Sequence, residues 1–298
     1  MVCPTCLMSG LGVSTYLWAS PFGDEHLDLF RHARDLGCDV LEICVEDPAL
    51  ITAQAVRSAA EDAAVSVSVC GAFGPERDVS HEEEMVRRAG VDYLRGCIDL
   101  AAAVGSPHVA GPMYSATGKT RLLSQGERER QRSWAVESLA EAADYAAARA
   151  VRLAIEPLNR FETDLVNTVE QGLELCERIG RSNVGLLLDT FHMNIEERSL
   201  PDAIRSVGDR VFHFHACEND RGAPGSGHVD WDGVFAALGD IGYRGQVVIE
   251  SFTPEIREIA RAVSLWRPLA ESPDALAEAG LAFLRSVVGR ATCVSGGQ

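Results

Sequence analysis

Short apolar runs alternate along this chain with longer segments in which apolar positions recur every three or four residues. The runs are Leu11–Tyr16, Asp39–Cys44, Val65–Cys70, His108–Gly111, Arg152–Glu156, Val184–Asp189, Val211–Ala216 and Gln246–Ser251. Near-continuous Val, Ile and Leu over four to six positions suits strands buried on both faces, the condition of a parallel sheet covered by helices. Eight strands alternating with helices predict an α/β protein, a single (β/α)8 TIM barrel, and 298 residues are enough for one.

The helical segments carry their own punctuation. Asp24–Leu36 stops at Gly37 and the segment after Thr168 stops at Gly180, glycines where a left-handed cap is wanted. Thr168 and Gln171 have capping-box spacing. Between Trp134 and Ala150, Val136, Leu139, Ala143 and Ala146 fall on one face, as on an outer helix packed against a barrel. No linker or composition break appears, so residues 1–298 are expected to form one domain with a loose start at about 1–8 and a loose tail at about 291–298.

Charge narrows the partners. A formal charge of −17 with pI near 4.9 repels phosphate backbones and anionic lipid, and the basic stretch Gly126–Arg132 alternates with acids as a solvated helix start does. Neither nucleic acid nor membrane is an expected partner. Nine cysteines, an odd number lodged mostly in apolar stretches, suggest reduced thiols and a cytoplasmic setting. Cys3 and Cys6 form a CxxC without a second ligand pair, so zinc is not expected there.

Four metal-ligand types stand at the ends of the last four strands: Glu156, Asp189, His215 and Glu250. In a parallel barrel the loops after the strands gather on one rim, so the four converge. Three carboxylates and an imidazole suit one hard divalent ion such as Mn2+, Mg2+ or Co2+ with positions left for substrate oxygens. Any one of the four alone could equally cap a helix or pair with an arginine.

Further polar groups crowd the same loops: Asn159, Arg160 and Glu162; His192 and Asn194; Glu218, Asn219 and Arg221. In so acidic a chain an exposed ion pair is a competing reading for Arg221, as a helix cap is for His192. His213 is expected to face away from His215, into the helix layer or adjoining core, as a structural residue. The glycine-rich stretch Arg221–His228 lacks the Lys-Ser/Thr ending of a phosphate loop and reads as a mobile rim loop. Cys70 has no histidine base in view and reads as a small lining residue.

The wording EPLNRFET from Glu156, LLLDTFHMNIEE from Leu186 and HFHACENDR from His213, then GSGHVDW and IGYRGQVVIESF, resembles the ketose 3-epimerases. These are the D-tagatose, D-allulose and L-ribulose 3-epimerase group of the xylose isomerase-like barrel superfamily. The resemblance runs from the first strand to Leu284 and is strongest over 152–268. It implies that Glu156, Asp189, His215 and Glu250 bind the metal, usually manganese, magnesium or cobalt, and that Glu162, His192 and Arg221 hydrogen-bond the first three sugar oxygens. Glu156 and Glu250 match the pair that moves the proton.

The implied reaction is epimerisation at C3 of free ketoses, such as D-fructose to D-allulose, D-tagatose to D-sorbose or L-ribulose to L-xylulose, through a cis-enediolate. Inversion needs an acid and a base on opposite faces, which two glutamates supply. A homodimer or homotetramer is also implied. The stretch SATGKT after Tyr114 lacks a tryptophan found in some D-allulose enzymes, and Ser251 replaces a common proline. These departures concern the distal pocket, for which Tyr16, Trp18, Phe22 and Tyr114 are candidate walls. Other sugar isomerases, inosose dehydratases or isomerases, and lyases acting on oxidised sugars in the same superfamily remain alternatives. A non-catalytic sugar-binding module, or a zinc endonuclease, fits the acidic composition and ligand set less well.

Overall fold

The computed structural model describes residues 8–295, with side chains up to Arg290. Eight parallel strands close in chain order into a barrel: β1 Gly10–Ser14, β2 Val40–Val45, β3 Ser66–Gly71, β4 His108–Gly111, β5 Arg152–Ile155, β6 Val184–Asp189, β7 Val211–His215 and β8 Gln246–Ile249. Each coincides with an expected run to within two residues. Closure is direct, because β1 pairs with both β2 and β8.

The helices outside are α1 Leu29–Asp35, α2 Ala53–Ala63, α3 Glu84–Val104, α4 Gln125–Ala147, α5 Val169–Ile179, α6 Thr190–Glu196, α7 Leu200–Val207, α8 Trp231–Asp240, α9 Arg257–Ala262 and α10 Pro273–Ser295. The capping box is present at α5, where Thr168 Oγ1 accepts from Gln171 N and Gly180 closes the helix at φ +66°. A second box at Ser124 and Glu127 starts α4 before the GERERQR stretch. The expected helix Asp24–Leu36 is instead a 3-10 turn, Asp24–His26, followed by the shorter α1. His26 Nδ1 accepts the Gly23 N–H and holds that turn apart from the helix. Cys3 and Cys6 lie outside the described residues, as does most of the expected amino-terminal tail. At the other end α10 runs on to Ser295, into the segment read as a loose tail.

The helix-facing residues of the strands, such as Val13, Leu41, Ile43, Val69 and Leu153, are buried against the helices in the main hydrophobic core. The barrel interior differs. Toward the carboxyl rim it is lined by small side chains, Cys44, Cys70, Ala110 and Ala154, and toward its middle by polar ones, Glu42, Ser68, His108 and His213, all buried. Strand alternation sets this pattern, since Glu42 and Cys44, Ser68 and Cys70, and His108 and Ala110 are each two apart. Small residues in the upper layer leave a cavity where a typical barrel is filled by branched side chains. Among the described residues no helix is long and apolar enough to cross a membrane.

Candidate active site

The carboxyl ends of β5 to β8 bring Glu156, Asp189, His215 and Glu250 together, with their candidate ligand atoms all within 4.8 Å of one another. His215 Nδ1 is the hub: Glu250 Oε2 lies 3.7 Å away, Asp189 Oδ2 3.8 Å and Glu156 Oε1 4.0 Å. Both His215 Nδ1 and Glu156 Oε1 are buried without a hydrogen-bond partner. Buried polar atoms are normally paired. A lone pair facing three carboxylate oxygens at such distances wants a cation among them, and a mostly oxygen donor set suits a hard divalent ion. These residues therefore fit a divalent metal.

Electrostatics separates the two glutamates. Burial, then the charge of Glu250, pushes Glu156 well above the usual carboxylate range. Burial also pushes Glu250 upward, but the neighbouring His215, with help from Arg221, outweighs it and leaves Glu250 low. Two carboxyl groups driven apart in this way are suited to acid and base work.

Arg221 is buried, at 4% exposure, and makes no surface ion pair. Its Nη1 donates to Asp189 Oδ2 at 2.7 Å and to Glu250 Oε2 at 2.9 Å, and its guanidinium lies over the rings of Phe191 and Phe252. Its backbone takes φ +68°, a conformation that side-chain-bearing residues seldom adopt and that clusters at functional sites. His192 sits in the first turn of α6 with its ring turned into the site. Its Nδ1 accepts from Asn159 N, and Nε2 lies 3.7 Å from Glu156 Oε1. Burial lowers its pKa to about 3, so the imidazole is neutral. Glu162 is half-buried, accepts from Asn159 Nδ2 at 2.9 Å, and is raised by burial.

His213 does not face away from His215. Residues two apart on a strand share a face, and both imidazoles point into the barrel, where His213 Nε2 donates to Glu42 Oε2 and His215 Nε2 to Glu42 Oε1. The rim loop Arg221–His228 is also more tied than its glycines suggest. Glu218 accepts from Gly225 N, Val229 N and Trp231 Nε1.

Above the four ligands lies a cavity of about 400 Å³. Glu156, Glu162, His192, Arg221 and Glu250 line it. Tyr16, Glu46, Cys70, Phe73 and Phe252 complete the wall. Of the four aromatic candidates, Tyr16 alone reaches this cavity. Trp18 turns outward, its Nε1 donating to Asp274, Phe22 is fully buried in the core, and Tyr114 spends its hydroxyl on the Val166 carbonyl. Glu46 was not foreseen in this wall; its Oε1 accepts from Ser20 and its Oε2 is buried without a partner.

The profile of the xylose isomerase-like TIM barrel family matches residues 30–287. The chain belongs to this family. Within the xylose isomerase-like barrels it falls in the ketose 3-epimerase group. It is 35% identical to a probable ketose 3-epimerase of Synechocystis sp., covering 92% of this chain and 95% of the relative, and 31% identical to the L-ribulose 3-epimerase of Mesorhizobium japonicum over 93% of each. A solved L-ribulose 3-epimerase superimposes with a TM-score of 0.91 at 31% identity, over 97% of both chains.

Proposed function

We propose that this isomerase-class enzyme inverts C3 of free ketoses, using Glu156 and Glu250 as the proton-transfer pair. The observation that carries this reading is the convergence of two buried glutamates, from opposite sides of the β5–β8 arc, on the His215 Nδ1 hub beneath a sugar-sized cavity. Glu156, Asp189, His215 and Glu250 would hold the divalent ion, Mn2+ in first place with Mg2+ and Co2+ as substitutes. When bound, the ion would supply Lewis acidity to the C2 and C3 oxygens, lowering the barrier to loss of the C3 proton.

The protein groups do the rest. The ionised glutamate takes the C3 proton and leaves an enediolate; the protonated one returns a proton to the other face, and their assignments exchange in the reverse direction. Glu162, His192 and Arg221 would hold O1 to O3 of the sugar, Arg221 and His192 as donors and Glu162 as acceptor. A cavity lined by four glutamates, Glu46, Glu156, Glu162 and Glu250, against two arginines, Arg77 and Arg221, disfavours a sugar phosphate. We also propose a homodimer or homotetramer, which sedimentation tests, and a cytoplasmic setting.

The deciding assay incubates the Mn2+-loaded protein with D-fructose, D-tagatose and L-ribulose in D2O. The expected result is the C3 epimer of at least one sugar, with deuterium only at C3. An aldose product labelled at C2, with exchange at C1 of the recovered ketose, would indicate an aldose–ketose isomerase, and no conversion of any ketose would overturn the proposal.

A further inference from the structure

We infer that Glu42 is a positioning residue that presents His215 to the divalent ion, an inference that rests on the metal reading above but not on the identity of the sugar. Glu42 stands in the middle of β2, across the barrel from β7, and is fully buried. Three donors converge on its carboxylate. His215 Nε2 lies 2.8 Å from Oε1; His213 Nε2 lies 2.6 Å and Ser68 Oγ 2.8 Å from Oε2. An ionised carboxylate only accepts, so each partner brings the proton. His215 therefore keeps a proton on Nε2, and with an ion bound its Nδ1 is left as the lone pair.

That lone pair is the atom surrounded by Glu156, Asp189 and Glu250. A metal-ligating imidazole needs this arrangement, with one nitrogen free for the ion and the other anchored so that the ring cannot turn. The second oxygen of Glu42 is braced independently of His215. Ser68, having given its proton to Glu42, can accept from His108 Nε2 at 3.0 Å, while His213 holds the same oxygen from β7. The ring of His213 in turn lies 4.3 Å from that of His108. The column His108, Ser68, Glu42 and His213 thus fixes Glu42 from β3, β4 and β7, and Glu42 fixes the tautomer and orientation of His215.

Glutamine in place of Glu42 keeps the shape but offers one acceptor to three donors, and its amide N–H groups would face at least one imidazole Nε2. The proton of His215 would then be driven to Nδ1, onto the side of the ion. Glu42→Gln is expected to weaken Mn2+ binding by about 10- to 100-fold, measured by calorimetric or EPR titration of protein shown by circular dichroism to be folded. Ser68→Ala removes one brace and leaves both imidazole contacts, so its Mn2+ affinity should stay within about threefold of wild type. Should Glu42→Gln fail to fold, 15N spectra of histidine-labelled wild-type protein loaded with diamagnetic Mg2+ give an independent reading. They should show His215 protonated on Nε2 and unprotonated on Nδ1. Unchanged Mn2+ affinity in folded Glu42→Gln, or a His215 protonated on Nδ1 in the Mg2+ form, overturns the inference. A wild-type protein that binds no stoichiometric ion would instead overturn the metal reading itself.

Discussion

Arg221 shows how much a single residue carries in this site. One nitrogen bonds two buried carboxylates, Asp189 and Glu250, in a pocket that also holds Glu156 and Glu162. Removing one partner of a buried charge pair leaves the other uncompensated, at a cost of about 3–5 kcal/mol. Arg221→Ala should therefore lower the stability of metal-free protein by that amount in urea unfolding. Saturating Mn2+ should restore part of it, because the ion would neutralise the same oxygens. Metal-free stability equal to wild type would mean that these carboxylates are protonated and need no counter-charge. The four ligand candidates were legible in the sequence because each ends an apolar run and the barrel turns strand ends into neighbours. Glu42 was not legible, since it lies inside the run VLEICV and meets β7 only once the barrel is closed. A carboxylate in the middle of so apolar a strand was nevertheless a signal that it had a buried partner. His213 shares the inward face with His215 because strand residues two apart point the same way.

At the scale of elements, strand identities were legible while the distal wall was not. Strands announce themselves by local composition, whereas the direction of an aromatic side chain depends on which element packs over it. Trp18 is claimed by Asp274 at the start of α10, far off in sequence, and Tyr114 by the backbone after β5. Where a signal is local it held: Thr168 and Gln171 form the capping box that starts α5. That helix carries Leu175, Cys176 and Ile179 into the core. Thr168→Ala removes the acceptor for Gln171 N and should cost about 1 kcal/mol, read as a lower thermal midpoint. Thr168→Ser, which keeps the hydroxyl, should recover most of the loss. Catalytic rate is expected to be unchanged in both, because the cap lies outside the cavity lining.

For the whole molecule, the buried polar interior ties stability to protons, and the candidate metal site would tie it to an ion as well. His192 illustrates the proton side. Its folded pKa of about 3 lies below the ordinary value of 6.5, because burial disfavours the charged ring. The unfolded chain therefore takes up the proton first, and this group's contribution is intact above about pH 6.5 and lost as pH falls toward 3. The loss is at most about 1.4 kcal/mol per pH unit. In the metal-free protein His215, raised above its ordinary value by Glu42 despite burial, acts in the opposite sense. The contribution of His192 is thus best isolated as a difference: a His192→Asn variant should lose less stability than wild type between pH 6.5 and 4, and parallel curves would refute the assignment.

The metal side follows from mass action. An ion that binds the folded chain at His215, Glu156, Asp189 and Glu250, and not the unfolded chain, adds about 2.7 kcal/mol at one hundred times its Kd. Wild-type protein should melt at a higher temperature as Mn2+ is raised, and a chelator should reverse the shift. Because the site draws its ligands from β5, β6, β7 and β8, the gain should appear as one cooperative transition displaced upward, rather than as ordering of a single loop. Asp189→Asn, which weakens one ligand and leaves both candidate proton-transfer glutamates in place, should flatten the Mn2+ dependence of the midpoint. A variant whose midpoint still rose with Mn2+ as in wild type would place the ion elsewhere in the molecule.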